Sequence, residues 1–182
     1  MPTGTAISWE EFLAAGGEGE RWEWVDGQVE FMSPANFKHE GFLVLLITAL
    51  GQFCRTHPEW TSFASNCVFT MASGNWRMPD ASLVRRSRFS AGEFPVRADF
   101  PPEVAFEILS PGDTPSHIQS KRRDYQQSGV IQVWFELEKG VVELIYPDRA
   151  PGYYRQDQVI GIQGVPGFSL TLKELFPEPP AS

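Results

Sequence analysis

The chain has 182 residues, with 15 Lys plus Arg against 23 Asp plus Glu and a formal charge of −8. Hydrophobic residues make up 42% and aromatics 13%, which is enough to bury a core and excludes both wholesale disorder and a disulfide-stapled miniprotein. The acidic balance excludes nucleic-acid binding by bulk positive charge, so any phosphate contact has to be local.

In chain order, Ser8-Trp9-Glu10-Glu11 has the form of a capping box and predicts a short helix stopped at Gly16-Gly17. Trp22 to Val25 and Gln28 to Met32 flank Asp26-Gly27. This pattern predicts a tight hairpin, because a two-residue Asp-Gly turn needs positive φ. From Asn36 to His57 the apolar Phe42, Leu46, Leu50 and Phe53 recur at three and four, which predicts a long helix ended by Pro58. Ser62 to Met71, Met78 to Val84 and Val104 to Leu109 read as strands, and Ser116 to Ser128 as a polar helix stopped by Gly129. Ile131 to Leu137 and Val141 to Tyr146 predict a second hairpin. Weaker strand signals follow at Tyr153 to Arg155 and Val159 to Ile162, then a last helical turn at Leu172 to Phe176.

That order predicts an α/β or α+β domain, a mixed sheet with helices against its faces, over residues 1–176, and a flexible tail at 177–182. No GxGxxG or GxxxxGK[ST] phosphate loop occurs. Cys54 and Cys67 lack the spacing of a disulfide framework or zinc site and read as buried thiols in a reducing compartment. No apolar run reaches the roughly 20 residues of a membrane span, so no membrane association and a cytoplasmic location are expected.

Three charged residues stand where apolar ones belong: Asp80 at the entry of a strand, Glu107 inside Val104-Ala105-Phe106-Glu107-Ile108-Leu109, and Lys121 in the next helix. A carboxylate in such a run is costly to bury unless protonated, paired or bound to a cation. Two carboxylates on neighbouring strands can share one hard cation, and a lysine beside it can stabilise charge at phosphorus and orient or help deprotonate an attacking water. Spacing alone leaves two readings open, a phosphodiesterase site and a salt-bridged pair at a sheet edge.

Several blocks taken together resemble a known family. They are RWEWVDGQVEFMSP, then His39 early in the long helix, MPDASLV, EVAFEILSP, the lysine of SKRRDYQQSGV, VW in the following strand, and GVPGFSLTLKELF. In this order they are similar to the Uma-two family of restriction-endonuclease-like proteins within the PD-(D/E)XK nuclease superfamily. The resemblance implies a restriction-endonuclease-like core and Mg²⁺-dependent cleavage of DNA, with Mn²⁺ able to substitute and a homodimer as the working form. Asp80 and Glu107 then match the metal ligands. Leu109 stands where E-x-K would place the lysine, and Lys121 on the following helix takes that role.

The resemblance also points to Glu23 as an added ligand or holder of a metal-bound water, whereas strand alternation alone puts it opposite Trp22 and Trp24, in solvent. His39 also falls where the family tends to have histidine, and is expected to touch a phosphate or a carboxylate behind the metal ligands. Ser110 has no G-x-S-x-G context and no base, so serine hydrolysis is rejected. Arg85, Arg86 and Arg88, with Arg122 and Arg123 beside Lys121, follow the ligands in sequence and are expected to hold the DNA backbone if they flank the cleft. The rival reading is a nuclease fold without turnover that acts through protein or weak DNA contacts.

Overall fold

The Asp26-Gly27 turn forms as its sequence dictates, with φ of 49° and 85°, and closes β1 (Trp22–Val25) onto β2 (Gln28–Phe31). This is seen in a computed structural model that describes residues 11, 14, 22–32, 36–90 and 94–176. The capping box at Ser8 and the tail at 177–182 lie outside the described residues; Glu11 and Ala14 are helical.

The long apolar stripe forms α1 (Phe37–Thr56). Asn36 caps it by accepting from the His39 amide at 2.9 Å, and Phe42, Leu43, Leu46, Leu50 and Phe53 are buried. That stripe packs on a six-stranded sheet of order β11-β10-β9-β8-β6-β3. Its strands are β3 (Trp60–Ala64), β6 (Ala81–Arg85), β8 (Val104–Ile108), β9 (Ile131–Glu136), β10 (Val141–Ile145) and β11 (Gly152–Arg155). All neighbours run antiparallel except β8 and β9, whose parallel pairing requires a crossover, and α2 (Pro115–Gln127) supplies it.

A five-stranded sheet, β2-β1-β5-β4-β7, adds β4 (Val68–Thr70), β5 (Trp76–Arg77) and β7 (Arg97–Ala98). The chain closes with the ribbon of β12 (Val159–Gly161) and β13 (Ser169–Thr171) and the single turn α3 (Leu172–Leu175). The fold is therefore mixed α+β, with multistranded sheets flanked by the helices α1, α2 and α3.

One expected strand is in fact two, and another starts later than expected. Ser62 to Met71 divides into β3 and β4, which enter different sheets, because Asn66 takes a left-handed φ of 74° between them. The run from Met78 to Val84 begins only at Ala81; Trp76-Arg77 forms β5, and Met78-Pro79-Asp80 links it to β6 outside any strand. The cysteines are half-buried free thiols rather than core residues.

Period two sorts the central strands. Val104, Phe106 and Ile108 join the cluster under α1, with Val133 and Phe135 beside them, whereas Ala105 and Trp134 join the cluster on the α2 face together with Tyr125. Glu107 has the parity of Ala105, and Asp80 that of Ser82 and Val84. Both carboxylates are thereby carried to the face covered by α2.

Candidate active site

The β6–β8 register pairs Ala81 with Phe106, so one step further Asp80 stands opposite Glu107. Asp80 Oδ2 accepts the Ile108 amide at 2.9 Å and lies 3.3 Å from His39 Nε2. From α2, Lys121 Nζ reaches both oxygens of Glu107 at 3.0 Å and Glu23 Oε1 at 3.2 Å. One turn on, the Tyr125 hydroxyl donates to Glu107 Oε1 at 2.6 Å. Asp80, Glu107, Lys121 and His39 line one cleft of about 470 Å³, open mouth included, with His117 and Trp134.

Glu23 is fully buried, not in solvent, because both faces of β1 are covered. Its Oε2 accepts from Arg77 at 2.8 Å and its Oε1 from the Met78 amide at 2.9 Å. Arg77, itself fully buried, also donates through Nε to Asp124 at 2.7 Å and through Nη2 to Ser120 Oγ at 2.6 Å. Asn75 adds donors to Asp124 at 3.0 and 3.2 Å.

The charges follow from these contacts. Burial alone would raise Glu23, but Lys121 and Arg77 outweigh it and hold the carboxyl below its ordinary value. Burial pushes Glu107 up to about 7, against the pull of Lys121, because Asp80 and Glu23 crowd it with like charge. Lys121 goes the other way: burial would lower it, yet Glu107, Glu23 and Asp80 keep it an ammonium well above the usual lysine value. Burial and Glu107 hold the Tyr125 phenol protonated and donating.

Glu23, Glu30 and His117 place three ligand-type atoms within 4.8 Å of one another. Arg77 already occupies that position, with Nη1 2.8 Å from Glu23 and 3.8 Å from Glu30, so a guanidinium stands where a cation would.

The arginines are distributed differently from expectation. Arg85 ends the strand that Asp80 precedes, roughly 16 Å away at about 3.3 Å per residue, and its amide donates to Glu103 at the opposite end of β8 from Glu107. Its guanidinium stacks on Trp60 and that of Arg88 on Phe100. Arg85, Arg86 and Arg88 therefore do not flank the cleft. Arg122 lies over Trp134 and pairs with Glu143, and Arg123 is exposed near Asp26. Ser110 lines the cleft, and its amide donates to Asp113.

Arg77, Asp124, Tyr125 and His117 were not foreseen. The helical part was readable, since His117, Lys121, Asp124 and Tyr125 fall at i, i+4, i+7 and i+8 on one face of α2.

A family model described as "Putative restriction endonuclease", Uma2, matches residues 9–173. The chain belongs to the Uma2 family. A solved structure titled as a "putative nuclease belonging to DUF820" from Anabaena variabilis superposes with a TM-score of 0.81 at 18% identity. That alignment covers 94% of this chain and 98% of the other, and it establishes the shared fold. No curated protein matches the sequence. Family and fold together support a nuclease as the function class.

Proposed function

We propose that this Uma2 protein is a Mg²⁺-dependent DNA endonuclease that hydrolyses phosphodiester bonds with Asp80 and Glu107 as cation ligands and Lys121 as the charge-stabilising group. The observation that carries this reading is that two acids 27 residues apart and the ammonium of Lys121 line one cleft. Buried hard oxygens open to a cleft suit Mg²⁺ or Mn²⁺, which take one or two carboxylates and leave the rest of the shell to water and phosphate. A cation bound there would neutralise phosphate charge and make a water more acidic.

Within this reading each side chain of the chain has its own task. Lys121, held as an ammonium, orients the water and stabilises negative charge at phosphorus, and it does not serve as the base. Glu23 is the counter-ion that fixes Lys121, itself clamped by Arg77 and the Met78 amide, rather than a metal ligand. His39 and the Ile108 amide orient Asp80, and Tyr125 orients Glu107. Duplex cleavage requires one site per strand, which a homodimer provides.

The test is nicking of supercoiled plasmid by purified protein with Mg²⁺ or Mn²⁺, with Asp80→Asn and Lys121→Met alongside. Nicking is expected to need the metal and to fall by at least 100-fold in each variant. Cleavage that survives both substitutions would sink the assignment. No cleavage by any form, on plasmid or oligonucleotides, would favour a binding module.

A further inference from the structure

Resting on that nuclease reading, we propose that His117 is a further catalytic residue of the cleft, the general acid that protonates the departing sugar oxygen, with Glu30 as its positioning residue. His117 lines the cleft beside Asp80, Glu107 and Lys121 and also the groove that continues from it past Met32, Asp113 and Thr114. Its side chain is one-fifth exposed, so it meets solvent as the buried Glu23 and Arg77 behind it do not.

The ring is set by its neighbours. Nδ1 lies 3.2 Å from Glu30 Oε2, and the His117 amide donates to the Thr114 hydroxyl at 3.2 Å. Glu30 accepts from Nδ1–H, so the ring acts as an acid in its doubly protonated form and gives up the proton of Nε2, which lies 4.0 Å from Glu23 Oε2. The titratable and charged groups facing the ring are Glu30 from β2, Glu23 from β1, Arg77 from β5, Lys121 from its own helix and Asp113 from the preceding loop.

Two alternatives are weaker on the same geometry. A metal at Glu23, Glu30 and His117 would have to displace the Arg77 guanidinium. Lys121 is a poor acid here, because three carboxylates hold its proton. Position also favours the division of labour. Attack and departure at phosphorus are roughly in line, on opposite sides, and residues one helical turn apart, such as His117 and Lys121, are separated by about 5–6 Å. In the step itself, the water oxygen forms the new bond to phosphorus and its proton leaves to solvent. The electron pair of the breaking phosphorus–oxygen bond stays on the sugar oxygen, which takes the Nε2 proton, and His117 is recharged from solvent.

The experiment compares wild type with His117→Ala, His117→Gln and Glu30→Gln. It measures single-turnover cleavage of a plasmid from pH 5.5 to 9, affinity for a labelled oligonucleotide in Ca²⁺, Mn²⁺ affinity and Tm. Both His117 variants should cleave about 100-fold more slowly at every pH where the wild type is active. Oligonucleotide and Mn²⁺ affinities should stay within twofold. Glu30→Gln should fall between. Wild-type rates in both His117 variants would overturn the proposal, as would a rate loss matched by lost DNA affinity, lost Mn²⁺ affinity or lost Tm. A wild-type protein that binds metal and DNA but never cuts would remove the nuclease reading itself, and this inference with it.

Discussion

Arg77 is the residue on which the buried charges most depend. It donates to Glu23, Asp124 and Ser120 and is fully enclosed, so Arg77→Met leaves two buried carboxylates without their main counter-ion. Removing one partner of a buried ion pair costs about 3–5 kcal/mol, since the other charge stays desolvated. For a chain of this size that is roughly 6–20 °C in Tm. Glu23→Gln should cost a similar amount, because Arg77 and Lys121 each lose a carboxylate. The double variant should cost clearly less than the two singles added, since neither partner is then left alone. Thermal unfolding of the three variants checks this, and simple additivity would show that Glu23 and Arg77 do not act as a unit.

At the scale of elements, α1 carries His39 to Asp80 on its first turn, and that turn is fixed by the Asn36 cap. Asn36→Ala removes the acceptor for the His39 amide and should cost about 1 kcal/mol, a fall of roughly 2–4 °C in Tm, which Asn36→Asp should restore. An unchanged Tm in the alanine variant would mean that the cap is dispensable. Elements whose limits are set by local chemistry were legible in the sequence: the Asp-Gly hairpin, α1 between Asn36 and Pro58, and α2 ending at Gly129, which takes φ of +72°. What the sequence concealed was where a strand changes sheet. Asn66 and Met78-Pro79 break the chain with few residues, and the apolar pattern runs on through both breaks because both sheets bury one face in a common region.

For the whole molecule, the same logic explains which part of the site was legible. Asp80 and Glu107 interrupt apolar runs, so the cost of burying them is visible in one dimension. The Arg77 clamp joins β1, β5 and α2 across 54 and 47 residues, and no local pattern announces such a pairing. Both sheets converge on one acid-rich centre, and this has a consequence for pH. Glu107 has a folded value near 7, above its unfolded one, so it adds stability that is fully present below the unfolded value and lost as pH rises through about 7, on the order of 3 kcal/mol. Glu23 is lowered, so its contribution is present above the ordinary carboxylate range and lost only as pH falls through its folded value. The metal-free protein should therefore gain Tm as pH is lowered from 8 toward 5, then lose it under stronger acid. Cation binding runs the opposite way, because a cation takes the carboxylate form and must displace the Glu107 proton below about 7. Mn²⁺ affinity measured by calorimetry should rise about tenfold per pH unit between roughly 5 and 7 and then level off. Glu107→Gln should bind Mn²⁺ more weakly and without that slope. A wild-type affinity flat across this interval would separate Glu107 from the cation and leave Asp80 to hold it alone.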